Sequence, residues 1–238
     1  MLAFMDSEYN SDMDYEKNRS DQSLIEVTLL ITDDHAKKVI ESYHRYVMPQ
    51  LHNGKLYKRI KQMTGIRQND VDNGISFANA IEDMYLLLKK YEVQKIYVYG
   101  GDDVAFRWNK KQYGIVPYGN KFIKCIKDIS GSLSQKCGIK NNPSLNTLAY
   151  ICGTKAHVTH SASDDAETLR EVYLNVVNGK FDEEKCTLYK RHASNQEQYY
   201  RIRECLRQME KNGMKREEIF EMLKEEKAFP KFLEDEKK

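Results

Sequence analysis

The chain has 238 residues, 40% of them apolar, which is enough for one large domain or for a domain with an appendage. Its net charge of +2 points to no partner class. The five cysteines (125, 137, 152, 186, 205) contain no C-x-x-C pair, which argues against a disulfide framework and a zinc ribbon and suits reduced thiols in the cytoplasm. No apolar run approaches the roughly 18 residues of a membrane span, so no membrane association is expected.

The first predicted strand is Leu2 to Tyr9, and it ends in Asp6-Ser7-Glu8. Cleavage of a signal peptide here would remove that acid pair, so none is expected. Side chains on a strand alternate with period two, so Asp-x-Glu can turn both carboxylates to one side, where they suit hard cations. A solvated strand end would look the same.

Asn10 to Ser23 is polar and reads as a loop. Leu24 to Thr32 reads as a buried strand, with Ile25, Val27, Leu29 and Ile31 alternating. Glu41 to Val47 reads as a third strand, closed by Pro49. Short links between the three predict an antiparallel meander.

The period then changes. Phe77, Ile81, Met84, Tyr85 and Leu88 recur at helical spacing. Lys95 to Tyr99 is β-rich and runs into Gly100-Gly101-Asp102-Asp103, a turn opening a helix over 103–111. Either aspartate can cap that helix. Ile123 to Ile129 reads as a fifth strand, and Leu145 to Cys152 and Asp164 to Val177 as helices. Between Val104 and Lys155 nine Lys or Arg stand against one acid, Asp128, which suits either a polyanion or an ordinary solvated face.

His160 precedes the last helix and Asp165 falls in its first turn, so both can face one pocket. Histidine can take a proton from water near neutral pH. The rival reading is a surface His and an Asp favoured by the helix dipole. His157-x-x-His160 also reads as half of a transition-metal site, with no second half in view.

A boundary is expected at Asn178-Gly179-Lys180, giving a domain over 1–180 and a charged helical extension over 181–238. Ser194-Asn195-Gln196-Glu197 fits a capping box, and stripes before and after Asn212-Gly213 suggest a helical hairpin. Those stripes suit packing on the domain or on a second copy, a homodimer through the C-terminal helices.

In this order the motifs resemble the DEDDh family of 3′–5′ exonucleases, which includes polymerase proofreading subunits and the Eri-type exoribonucleases. The resemblance spans roughly residues 2 to 178. Its landmarks are Leu24-Ile25-Glu26-Val27, Tyr46-Val47-Met48-Pro49, Met63-Thr64-Gly65-Ile66, Gly100-x-x-Asp103 and Ser144-Leu145-x-x-Leu148. Tyr9 stands where Thr often follows the second acid.

The resemblance implies an α/β fold of ribonuclease-H-like type: a mixed five-stranded sheet flanked by helices, with a C-terminal helical extension. It implies that Asp6, Glu8, Asp103 and Asp165 hold two divalent cations, Mg²⁺ or Mn²⁺, about 3.5–4 Å apart. One would orient a water that His160 deprotonates, and the other would stabilise the leaving 3′ oxygen. The substrate implied is single-stranded RNA or DNA with a free 3′ end, and the product a nucleoside 5′-monophosphate. Met63 and Ile66 would form an apolar platform for the terminal base. A binding module without turnover and a phosphohydrolase of small nucleotides are the rival readings.

Overall fold

The computed structural model describes residues 1–11, 22–154, 158–194 and 211. Contacts divide the chain into two units, Met1–Asp182 and Glu183–Lys238.

The first unit is built on a five-stranded sheet of order β3-β2-β1-β4-β5. Strand β1 (Leu2–Ser11) lies at the centre. It pairs antiparallel with β2 (Gln22–Thr32) and parallel with β4 (Ile96–Val98). Strand β3 (Val39–Tyr46) extends the antiparallel side and β5 (Ile126–Asp128) the parallel side. The expected meander and mixed sheet are therefore present. In β2 every residue after Gln22 is buried, because both faces of the sheet are covered.

One face carries α3 (Phe77–Lys90), α4 (Asp102–Tyr113) and α5 (Gly119–Cys125). Their Phe77, Ile81, Met84, Phe106 and Phe122 join Ala3, Met5, Val27, Leu29 and Ile31 in the main core. The other face carries α8 (Ala162–Val177), flanked by α6 (Ser130–Lys136) and α7 (Leu145–Cys152). There Tyr173 packs edge-on against Phe4 at 5.2 Å between ring centres.

A smaller cluster holds Ile25, Leu56, Ile60, Ile66 and Val71, under α1 (Lys58–Thr64) and α2 (Gln68–Asp72). It exists because β2 contains a bulge. Glu8 faces Glu26 and Tyr9 faces Leu24, so Ile25 is left over. Leu24 joins the main core, and Ile25 anchors the small cluster.

Two expectations need correction. Residues Ile123 to Ile129 do not form one strand: Ile123 lies in α5 and only Ile126–Asp128 pairs. A stretch of seven residues with apolar 123, 126 and 129 is too short to separate period two from a helix end. Ser194 is not a helix N-cap, since residues 183–194 are already helical. The rest of that capping box and the hairpin after it lie outside the described residues.

Candidate active site

Three chain segments converge where β1, still paired with β2, runs past the end of β4. Asp6 and Glu8 share one face of β1, since Ser7 between them turns away. The turn after β4 brings in the start of α4. Gly100 takes φ +103° there, a backbone conformation that a side chain would strain. Asp128 Oδ1 accepts hydrogen bonds from Gly100 N–H (3.1 Å) and Ser130 N–H (2.8 Å), tying this turn to β5. The third segment is the loop before α8. Thr159 N–H donates to Asp165 Oδ1 at 2.9 Å, and Thr159 Oγ1 donates to Asp164 Oδ2 at 2.8 Å. The loop is thereby stapled to the helix it precedes.

Glu8, Asp102 and Asp165 are buried and Asp6 is half-buried. Glu8, His160 and Asp165 each offer a ligand atom, all within 4.8 Å of one another. His160 is exposed and holds φ +60°, a left-handed conformation uncommon for any residue with a Cβ.

The electrostatics are those of crowded acids. Burial, then Asp102, Asp165, Glu8 and Glu26, push the Asp6 carboxyl well above its ordinary value. Burial first, then Asp165, Glu26 and Asp102, push Glu8 up to about 8. Burial raises Asp102 to about 7 against the lowering effect of the Tyr9 hydroxyl. Asp165 is raised by burial and lowered by Thr159 and His160. Like charges this close hold protons unless a cation joins them. The carboxylates offer oxygen donors with excess negative charge, which fit hard divalent ions.

One expected site residue stands apart from the cluster. Asp103 does not face the other acids: it pairs with Arg107 at 2.9 Å along the surface of α4. Asp102 takes the place in the cluster, 8% exposed, with its Oδ1 accepting a hydrogen bond from Tyr9 at 3.1 Å. The reason is helical phase. Asp102, Ala105, Phe106 and Asn109 form the buried stripe of α4, and Asp103 is a step of about 100° off it. That stripe is visible in the sequence as Ala105 and Phe106 set against Arg107.

The apolar platform narrows. Ile66 is 3% exposed inside the small cluster and has no free face, whereas Met63 is half-buried at its edge. His157 lies outside the described residues. Two residues near the site had no site role in the sequence reading, Glu26 and His44. A lone acid inside the apolar run of β2 was the available signal for Glu26.

The family model described as Exonuclease matches residues 4–173, and the chain belongs to that family. The 3′-5′ exonuclease eri1 of Schizosaccharomyces pombe is 32% identical over 71 residues, which is 30% of this chain and 24% of that protein. The chain therefore spans about a quarter of the length of the curated relative it matches. Among solved structures, a 3′-exonuclease that recognises the 3′ end of a histone mRNA stem-loop has a TM-score of 0.65 at 16% identity, covering 75% of this chain and 64% of that one. The nuclease domain of 3′hExo, a DEDDh family member bound to rAMP, has a TM-score of 0.62 at 16% identity, covering 76% and 93%. Cell-death related nuclease 4 has a TM-score of 0.61 at 19% identity, covering 76% and 64%. At these identities the likeness is one of fold.

Proposed function

We propose that this chain is a metal-dependent 3′–5′ exonuclease that shortens single-stranded nucleic acid from a free 3′ end and releases nucleoside 5′-monophosphates. The observation that carries this reading is the convergence of Asp6, Glu8, Asp102 and Asp165 with His160 at one end of the sheet. Membership of the exonuclease family supports it.

In this reading Asp6, Glu8, Asp102 and Asp165 hold two divalent cations, Mg²⁺ or Mn²⁺. Such ions supply the positive charge that a phosphoryl transition state and its leaving 3′ oxygen need, and they make water easier to deprotonate. His160 accepts the proton of the attacking water. Its exposed imidazole at the mouth of the acid pocket can pass that proton on to solvent. Tyr9 orients Asp102 through its hydroxyl, and Thr159 N–H orients Asp165. Met63 offers the terminal base an apolar edge.

The test is a 5′-labelled single-stranded oligomer, RNA and DNA in parallel, incubated with and without Mn²⁺. A ladder that shortens from the 3′ end, with mononucleotide release only in the presence of metal, is the expected result. Retention of the oligomer without shortening would make the chain a binding module, and cleavage of free nucleotides alone would make it a small-nucleotide phosphohydrolase.

A further inference from the structure

Glu26 sits in mid-strand on β2, 3% exposed, between Ile25 and Val27. The sheet register sets it opposite Glu8 on β1 and Tyr46 on β3. A carboxylate buried beside other carboxylates is costly, and it persists only where both oxygens are used. Here they are. Oε2 accepts a hydrogen bond from the backbone N–H of Ala162 at 3.0 Å, across 136 positions of sequence. Oε1 meets His44 Nε2 at 2.7 Å. His44 is 38% exposed and packs edge-on against Tyr46, with ring centres 5.1 Å apart.

Ala162 is the first residue of α8. The opening N–H groups of a helix have no intrahelical acceptor and are normally satisfied by the N-cap side chain. Ser161, at that N-cap position, makes no such bond. Glu26 supplies the acceptor instead, from a strand of the sheet. The helix it caps carries Asp165 in its first turn, and His160 stands two residues before it. The start of α8 is thereby tied to the strand that pairs with the one bearing Asp6 and Glu8.

We infer that Glu26 is a positioning residue for phosphodiester hydrolysis: it caps α8 so that His160 and Asp165 stand over Glu8, and His44 keeps its carboxylate turned to that task. The inference rests on the exonuclease reading above. With both oxygens engaged inside the protein, Glu26 is not itself a member of the metal-holding set.

Glu26→Met keeps the volume and removes the acceptor. Glu26→Gln keeps an acceptor for Ala162 N–H and offers its amide to His44. On a single-stranded oligomer at saturating Mn²⁺, Glu26→Met should lower kcat by about 10–10²-fold with KM nearly unchanged, the scale of a small displacement of catalytic groups. Glu26→Gln should stay within about threefold of the parent, since the cap survives. In the double variant with His160→Ala, the loss from Glu26→Met should shrink without vanishing, because the misplaced base is already gone while the displacement of Asp165 persists. A Glu26→Met enzyme with unchanged kcat would overturn the inference. So would a loss that multiplies in full onto that of His160→Ala. If Glu26→Met does not fold, Glu26→Asp withdraws the carboxylate by one methylene and is judged by the same kcat, KM and double-variant criteria. A His160→Ala enzyme as fast as the parent would instead remove the exonuclease reading of the site, whatever Glu26 does.

Discussion

The hydroxyl of Tyr9 donates a 3.1 Å hydrogen bond to Asp102 Oδ1 across 93 positions of sequence, joining the end of β1 to the first turn of α4. Tyr9 also packs against the main core, so the hydroxyl is held by a ring that cannot swing away. This contact, with the phase of α4, favours Asp102 over Asp103 for the proposed metal-holding role. Asp102→Asn should lose turnover by at least about 10²-fold, because it weakens the hold on the cations that would stabilise the transition-state charge. Asp103→Asn loses only the exposed pair with Arg107 and should stay within a fewfold of the parent. Parallel kcat measurements at saturating Mn²⁺ decide it, and the reverse ranking would return the metal role to Asp103.

His160 should behave as a base. Loss of a general base costs about 10²–10⁴-fold in rate. His160→Ala should fall in that range, keep Mn²⁺ affinity near that of the parent, and flatten the acid limb of the pH–rate profile. Loss of Mn²⁺ binding in this variant, read by calorimetry, would make His160 a ligand instead.

The acid cluster predicts an unusual stability profile. In the unfolded chain Glu8 ionises near 4.5 and Asp102 near 3.8, while in the fold they hold protons to about 8 and about 7. Between those values the folded state binds more protons than the unfolded state, so stability falls as pH rises through this window and levels off above it. With EDTA present, Tm should drop between pH 5 and pH 8 by at least about 2–4 °C, the shift that roughly 1 kcal/mol makes in a domain of this size. Mn²⁺ should reverse the slope, because deprotonated carboxylates bind it best and binding stabilises the folded state. Glu8→Gln should raise the metal-free Tm at pH 8 while abolishing turnover. A metal-free Tm that climbs across the window would contradict the crowding of these acids.

The second unit begins at Glu183 and carries none of the proposed site residues. A chain ending at Asp182 retains β1 to α8 and the Asp182 N–H to Ile151 O bond of 3.0 Å. It should fold and shorten an oligomer at a rate within a fewfold of the parent. A folded but inactive truncation, checked by circular dichroism beside the nuclease assay, would give the second unit a part in catalysis or in substrate delivery.

Strong periodicity made most of the first unit legible before the fold was known. The apolar runs of β1 and β2 and the 3.6-residue stripe of α3 stand out in the sequence, although the alternation of Ile25 with Val27, Leu29 and Ile31 breaks at the bulge, and Gly100-Gly101 marks the turn that opens α4. What stayed hidden depends on tertiary contacts. Helices α1, α2 and α6 have five to seven residues and too few turns to show a stripe. The choice between Asp102 and Asp103 required the phase of α4 against the sheet. The partnership of Glu26 with Ala162 spans most of the unit, and no local spacing encodes it.

The bulge in β2 has a further consequence. Removing Ile25 would leave Leu24, Glu26 and Val27 in unbroken alternation, so Ile25 is surplus to the pairing with β1, while on the β3 side its carbonyl accepts from Val47 N–H at 2.9 Å. Its side chain serves only the cluster under α1 and α2, where Met63 sits at the edge. That outer layer is also tied to β1 itself, since Asn10 donates to Lys55 O and accepts from Tyr57 N–H, both at 3.0 Å. The outward-facing positions of α1 can therefore vary freely, while a change at Asn10 or Ile25 reaches the strands that set the carboxylates.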